Sequence, residues 1–287
     1  MQKIRPLAFM LAALFTGLSS VAGHAATAIA HDGLPIYFEV HGTGEKFLLL
    51  GPGTALPRTL GLATGVESLD GVEEMLEGTK QAYIEELGER YRLIFMEYPG
   101  QEPRMYTLTP GAVARDYLAV ADAAGAEEFA YAGFSWGCVT GLQLAIRSDR
   151  MKALVCGGFP VIDGIYEDML LTTRTMSEGA ATLYGIPMNN VESGRQFLTY
   201  YEGLRSFDDR AVQGALKIPR LSWIGDADQP TLNGKNLTHM GKVIADTRDE
   251  LEEFGWDVLL LPGVNHLDGG APAIHLPVIS DWLRENY

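Results

Sequence analysis

Basic residues and cysteines are both scarce in this chain, and each scarcity limits what it can do. The 287 residues include 22 lysines and arginines against 37 aspartates and glutamates, which gives a formal net charge of −15. Nucleic acid phosphates would be repelled by such a charge, so we predict no nucleic acid partner. No Cys/His cluster has metal-ligand spacing, and no glycine loop resembles a phosphate cradle. We therefore predict neither a metal site nor a cofactor.

The apolar run at the N-terminus is too short to span a bilayer comfortably. Lys3 and Arg5 precede an almost uncharged stretch from Pro6 to Leu18, and small residues follow at Gly23 to Ala25 and at Ala26 to Ala28. This order is typical of a Sec-type signal peptide. We predict a signal peptide over residues 1–25 and a periplasmic or secreted protein without stable membrane insertion after cleavage. The alternative is a retained N-terminal anchor.

The two cysteines of the chain are Cys138 and Cys156. Export permits a disulfide between them. Both lie in apolar runs that indicate buried positions, and geometry decides whether two such thiols pair. Pairing therefore stays open.

Ser135 lies at the centre of a G-x-S-x-G sequence that runs from Gly133 to Gly137. A strand-like apolar run, Phe129 to Ala132, precedes it, and the spacing of apolar residues from Cys138 to Arg147 suits a buried helix. The turn between them must be sharp, and glycines on both sides of the serine remove Cβ atoms that would collide. This context predicts an exposed nucleophile at Ser135, the alternative being a purely structural glycine turn.

A serine hydroxyl is a poor nucleophile near neutral pH, so the hypothesis requires a histidine base and an acid further along the chain. His266 follows the apolar strand Val258 to Leu261, in a loop that can lean back over the sheet edge. The alternative is a loop histidine that faces water. Asp226 and Asp228 both follow the strand Leu221 to Ile224, and we select Asp228, with the other carboxylate capping a turn or helix.

From about residue 35 to the C-terminus the chain resembles the α/β-hydrolase fold family, because four motifs of the family occur in the family's order. Tyr37 to Gly44 resembles the hairpin before the third strand, and Arg115 to Val120 resembles the helix that leads to the elbow strand. Gly225 to Asp228 matches the G-x-x-D acid turn of the family, and Gly263 to His266 matches its G-x-x-H turn.

The resemblance implies that Ser135, Asp228 and His266 form a catalytic triad. It also makes Asp163, at the end of the sixth strand, a second candidate for the acid. The oxyanion would be bound by the backbone N–H of Trp136 together with that of Gly53 or Thr54, because proline at position 52 has no N–H to donate.

Strand-like and helix-like segments alternate along the chain, which predicts a mostly parallel, doubly wound sheet with helices on both faces. Thr109 and Pro110 indicate the cap and first residue of the helix before the elbow strand. We expect the α/β core over residues 26–158 and 218–287, and a helical cap insertion over residues 159–217. We expect most methionines and aromatic residues in the cap to form its own core, and some to line the roof of the pocket and favour an apolar or aromatic substrate part.

The loop after the fourth strand, Glu97 to Arg104, differs from the loop that the family usually carries there. Arg104 is either a ligand for a substrate carboxylate or a surface arginine. Because this loop differs, we expect a substrate that differs from those of the well-known subgroups of the family.

The sequence thus predicts a serine hydrolase that cleaves a small carboxylic ester, lactone or related acyl compound through an acyl-enzyme intermediate. One alternative is an aminopeptidase similar to prolyl iminopeptidases, which Trp136 supports and Phe134 weakens. Such an enzyme needs acidic groups for the substrate α-amine, and Glu97, Glu102, Asp163 or cap carboxylates are available. Another alternative is a non-catalytic binding protein that has kept the fold.

Overall fold

A computed structural model describes residues 23–52, 70–99, 104, 106–188 and 190–287, with the side chains of residues 70–76 left aside. Most of the expected signal peptide lies outside these ranges, so that expectation stays a prediction. The first strand begins at His24 and ends at Ile29. Cleavage after Ala25 would leave residues 26–29 of this strand in the mature protein, whereas cleavage after Ala28 would leave only Ile29.

Strands and helices alternate through the first half of the chain, in the order β1 (His24–Ile29), β2 (Pro35–His41), β3 (Lys46–Leu50), α1 (Asp70–Leu87), β4 (Tyr91–Met96), α2 (Pro110–Ala123), β5 (Phe129–Phe134), α3 (Trp136–Ala145) and β6 (Met151–Gly157). The cap insertion follows with α4 (Tyr166–Ser177), β7 (Ala181–Leu183), β8 (Ile186–Met188), α5 (Val191–Glu202), α6 (Asp209–Val212) and a short 3₁₀ helix (Gln213–Ala215). The chain ends with β9 (Arg220–Gly225), β10 (Thr231–Leu232), β11 (Lys235–Asn236), α7 (Met240–Asp246), α8 (Arg248–Glu253), β12 (Asp257–Leu261), α9 (His266–Gly269) and α10 (Pro272–Asn286).

Eight strands form the main sheet in the order β1-β2-β4-β3-β5-β6-β9-β12. In this sheet order, every neighbouring pair from β4 onward is parallel. The two remaining pairs, β1 with β2 and β2 with β4, are antiparallel. Every residue of β5 and β9 is buried, as expected for parallel strands that are covered on both faces. The predicted mostly parallel, doubly wound sheet is confirmed.

Helices cover both faces of this sheet and close two apolar cores. On one face Val113 and Tyr117 of α2 pack with Val139 and Leu142 of α3. On the other face Tyr83 and Leu87 of α1 belong to a core with apolar residues of α10. The predicted start of α2 is also confirmed, because the Thr109 side chain accepts a hydrogen bond from Ala112 N at 3.3 Å and Pro110 is the first helical residue.

The segment expected as a cap insertion, residues 159–217, contains α4 and α5 and also a β-hairpin, β7–β8, that was not predicted. This hairpin joins β10 and β11 in a second sheet of four strands, with the order β11-β10-β7-β8. Met176 and Met188 pack with Ala181 and Leu232 beneath it. These two methionines therefore belong to a small core that includes residues of α4 and of the second sheet. Among the described helices, none is both long and apolar enough to cross a membrane.

Candidate active site

Ser135 occupies a strained turn between β5 and α3. Its φ is 56° and its ψ is −119°, a backbone conformation that L side chains rarely adopt. A Cβ on Gly133 would lie 2.3 Å from the carbonyl oxygen of Gly137, and a Cβ on Gly137 would lie 2.0 Å from that of Pro52. Both glycines are therefore required by close backbone approach, as the sequence predicted. The turn presents the Ser135 hydroxyl at the carboxyl edge of the sheet.

The structure brings Ser135, His266 and Asp228 together at this edge. His266 Nε2 lies 3.0 Å from Ser135 Oγ, and His266 Nδ1 lies 2.8 Å from Asp228 Oδ2. Ser135 follows the end of β5, His266 follows β12 and Asp228 follows β9. All three are parallel strands, and binding sites of parallel sheets lie at the carboxyl ends of the strands. Asp228 is 1 % exposed and His266 is 8 % exposed, so water screens the pair weakly.

The other two candidate aspartates have different partners. Asp226 Oδ1 accepts a hydrogen bond from Gly263 N at 2.7 Å, which ties the acid turn to the loop before His266. Asp163 pairs with the Arg210 guanidinium at 2.5 Å on the protein surface. That guanidinium lowers the pKa of the Asp163 carboxyl by hydrogen bonding. Only Asp228 among the three contacts the imidazole of His266.

Trp136 is the first residue of α3, so its backbone N–H has no acceptor within the helix. The helix dipole adds a partial positive charge at the same place. The backbone of Pro52 lies against this turn, as its oxygen would meet a Cβ on Gly137 at 2.0 Å. Gly53 and Thr54, the other expected oxyanion donors, lie outside the described residues, and their role stays a prediction.

Phe134 of β5 supports the site from the sheet side. Its ring centroid lies 4.9 Å from that of His266 and 5.4 Å from that of Trp223. His275 of α10 lies behind both, 6.4 Å from Phe134 and 6.0 Å from Trp223 between ring centroids. Contacts between distant segments leave no local pattern in a sequence, so the packing of His275 and Phe134 around the site could not be predicted.

Burial lowers the pKa of His275 to about 4, against the opposing effect of its hydrogen bond to Gly269 O. A histidine in an unfolded chain has a pKa of about 6.5. Between about pH 6.5 and pH 4 only the unfolded chain takes up this proton, so the stability that neutral His275 contributes above pH 6.5 is lost as the pH falls through this window.

We therefore expect His275 to account for about 2 kcal/mol of the fall in unfolding free energy between pH 7.5 and pH 5. Urea unfolding at both pH values measures it, and His275→Phe should show a fall that is smaller by that amount. The absolute stability of the variant does not enter, since the readout is a difference between two pH values. An equal fall in both proteins would contradict the prediction.

Aromatic side chains of the cap pack against Trp136, the residue after Ser135, and against His266. The Trp136 indole contacts the rings of Phe197 and Tyr200 of α5, with centroids 4.9 Å and 5.3 Å away, both edge to face. The ring of Tyr184, from the β7–β8 turn, lies against His266 itself. The sequence indicated aromatic residues in the cap but not which contacts each of them makes. A Tyr-Gly pair between the short runs 181–183 and 186–188 was the available signal for the hairpin.

Arg104 is neither a surface arginine nor a free ligand for a substrate carboxylate, so both expectations for it were wrong. It is 2 % exposed, and its guanidinium donates to Asp32 Oδ1 and to Pro99 O, both at 2.5 Å. Its backbone N–H donates to Gln196 Oε1 at 2.9 Å. A buried arginine needs such partners, and here they connect the β1–β2 turn, the loop after β4 and the cap.

Cys138 and Cys156 are both buried and unpaired. Burial raises the pKa of the Cys138 thiol, and the neighbouring Cys156 adds to the effect. In the described part of the chain, no three His, Cys, Asp or Glu side chains lie close enough to hold a metal ion.

Comparison with known proteins agrees with this architecture. The esterase of Thermogutta terrifontis aligns over 91 % of this chain and 98 % of its own, with a TM-score of 0.60 and 17 % identity. The enol-lactonase of Burkholderia xenovorans LB400 aligns over 91 % of this chain and 100 % of its own, with a TM-score of 0.60 and 16 % identity. The chain has the α/β-hydrolase fold.

Within the α/β-hydrolase fold, sequence similarity to curated proteins is distant. A protein of Azorhizobium caulinodans that is named as a carbamate hydrolase, RutD, is 28 % identical over 141 residues. The match covers 47 % of this chain and 46 % of the relative, so it spans about half the length of either protein. No family model matches the chain.

Proposed function

We propose that this α/β-hydrolase fold protein is a serine hydrolase that cleaves a small carboxylic ester, lactone or related acyl compound through an acyl-enzyme intermediate. The observation that carries the proposal is the hydrogen-bonded series from Asp228 through His266 to Ser135, at 2.8 Å and 3.0 Å. A serine within reach of an imidazole, whose other nitrogen is held by a carboxylate, is the arrangement that activates a hydroxyl nucleophile.

The mechanism assigns a defined role to each group. Ser135 Oγ attacks the substrate carbonyl carbon while His266 Nε2 takes the hydroxyl proton. Asp228 fixes the tautomer of the imidazole and stabilises the imidazolium. The Trp136 N–H and the N-terminus of α3 stabilise the negative charge on the carbonyl oxygen. His266 then protonates the leaving group. In the second half of the reaction His266 takes a proton from water, the water oxygen attacks the acyl carbon, and the proton passes to Ser135 Oγ as the bond between serine and acyl group breaks.

The substrate class follows from the surroundings of Ser135 and from the relatives. Trp136 and Phe197 are both partly exposed and place aromatic surface beside the nucleophile, which favours a substrate with an apolar or aromatic part. The similar proteins are named as an esterase, an enol-lactonase and a carbamate hydrolase. Esters, enol-lactones and carbamates all present a carbonyl carbon bonded to a heteroatom, which is the group that an activated serine attacks.

Two carboxylates of the cap insertion have other partners and so give no support to the aminopeptidase alternative. Asp163 is paired with Arg210. Asp209 accepts hydrogen bonds from Gly164 N at 2.8 Å and Asp163 N at 3.2 Å. Both carboxylates are therefore engaged, and Glu102 lies outside the described residues. We accordingly test the amide reaction but do not propose it.

One panel of reactions on the purified protein tests this proposal. We expect labelling by a fluorophosphonate probe, because the probe requires an activated serine. We also expect turnover of aryl esters with short acyl groups, of a lactone or of an aryl carbamate, and slower turnover of aminoacyl arylamides. Preferred hydrolysis of arylamides would favour the aminopeptidase instead. Absence of both labelling and turnover would favour a non-catalytic binding protein.

A further inference from the structure

The imidazole of His266 is contacted by a ring from the cap as well as by one from the sheet. The Tyr184 ring is parallel to it within 4°, with ring centroids 4.6 Å apart. Phe134 approaches the same imidazole at 4.9 Å with a tilt of 35°. His266 therefore packs against one aromatic ring from the cap and one from the sheet.

Tyr184 makes this contact from an unfavourable backbone conformation. Tyr184 and Gly185 form the two-residue loop between β7 and β8, since Leu183 pairs directly with Ile186. Their φ values are 51° and 79°. Two-residue loops with positive φ at both positions favour Asn-Gly, and a bulky side chain with positive φ is a genuine outlier. Such strain persists where the surrounding structure fixes it, and it concentrates at functional sites.

The strained turn is fixed by the segment that follows Asp228. Tyr184 N donates to Thr231 O at 3.0 Å, three residues beyond the acid. Asn233 N donates to Thr182 O at 2.8 Å, and Thr182 N donates to Asn233 Oδ1 at 2.7 Å. The same stretch of chain therefore places the carboxylate at His266 Nδ1 and the aromatic ring on its face.

We propose that Tyr184 is a positioning residue for His266: its ring holds the imidazole in line with Ser135 and stabilises the imidazolium that forms during acyl transfer. An aromatic face attracts a cation within about 6 Å of the ring centroid, and the attraction grows when the pair is shielded from water. Tyr184 is half-buried, and burial raises the pKa of its phenol, so the ring stays neutral. This inference rests on the proposed function.

Two substitutions separate positioning from other roles. Tyr184→Phe keeps the ring, and we expect kcat within about threefold of wild type, since a phenyl ring also stacks on a cation. Tyr184→Asn removes the ring but suits the turn, so we expect an unchanged or higher Tm. Its kcat should fall roughly 10- to 100-fold with little change in KM. The rate of fluorophosphonate labelling of Ser135 should fall by a similar factor.

Tyr106→Asn is the matched control. Tyr106 also has a positive φ, 65°, but it is 72 % exposed. We expect its replacement by asparagine to relieve strain in the same way while kcat and the labelling rate stay at wild-type values.

Each other outcome overturns the inference in a recognisable way. Wild-type kcat and labelling rate in Tyr184→Asn would show that the ring does not position His266. A rise in KM alone would make Tyr184 a substrate contact, and a fall in Tm together with activity would make it structural. If the probe does not label the wild-type protein, the proposed function fails first, and the role of Tyr184 fails with it.

Discussion

Replacement of Ser135 by alanine is expected to abolish both turnover and fluorophosphonate labelling while the protein stays folded. The substitution removes one oxygen atom, which lies 3.0 Å from His266 Nε2. The hydrogen bond from the backbone N–H of residue 135 to Gly157 O, 2.7 Å long, does not depend on the side chain. Loss of the serine from a catalytic triad lowers kcat by roughly 10⁶. Turnover of the preferred ester and circular dichroism of the same sample measure the two halves of this expectation.

Ser148→Ala is a suitable control for the Ser135 variant. Ser148 lies in the turn after α3 and only accepts a hydrogen bond from Arg150 N at 3.2 Å. We expect wild-type turnover from this variant. If Ser135→Ala, purified in parallel, retained the same esterase activity, Ser135 would not be the nucleophile.

Replacement of Asp228 by asparagine is expected to lower kcat by roughly 10⁴ without loss of the fold. The ionised Asp228 carboxylate can only accept a hydrogen bond, so His266 Nδ1, 2.8 Å away, is the donor and carries the proton. An amide in its place can instead donate to Nδ1, which moves the imidazole proton to Nε2. Nε2 then cannot take the proton of Ser135. Steady-state kinetics of the ester reaction, with thermal unfolding of the same preparation, measures the effect.

The two neighbouring candidates give matched controls for Asp228. Asp226→Asn should retain kcat and lose at most about 0.5 to 2 kcal/mol of stability, since its main contact is the hydrogen bond from Gly263 N at 2.7 Å. Asp163→Asn removes only a surface ion pair with Arg210, so it should also keep kcat. An inactive Asp163→Asn beside a nearly wild-type Asp228→Asn would show that the acid is Asp163.

The parts of the fold that sequence predicted are those in which local chemistry determines backbone shape. Thr109 and Pro110 cap and begin α2 because a hydroxyl acceptor and a fixed φ suit those positions in any helix. Gly133 and Gly137 mark the turn at Ser135 because no larger residue fits there. Burial on both faces gave the central strands their unbroken apolar runs.

Contacts between distant segments could not be predicted in the same way. Arg104 and Asp32 are 72 residues apart, and nothing near either residue indicates the partner. The contact between Tyr184 and His266 required the cap hairpin, whose turn lacks the usual Asn-Gly sequence. Pro187 also weakened the strand pattern of β8. Proline is tolerated there because β8 is an edge strand of the second sheet.

Because the second sheet includes strands from outside the cap, the cap cannot simply be replaced by that of a related protein. Two of its strands, β7 and β8, come from the cap insertion, and the other two, β10 and β11, come from the segment after Asp228. A chimera that received a foreign cap would keep β10 but lose its hydrogen-bonded neighbour, leaving an open strand edge beside the acid. Evolutionary change in the cap must therefore be matched by change in the segment from Pro230 to Asn236. Variation in these two stretches should be correlated among related sequences.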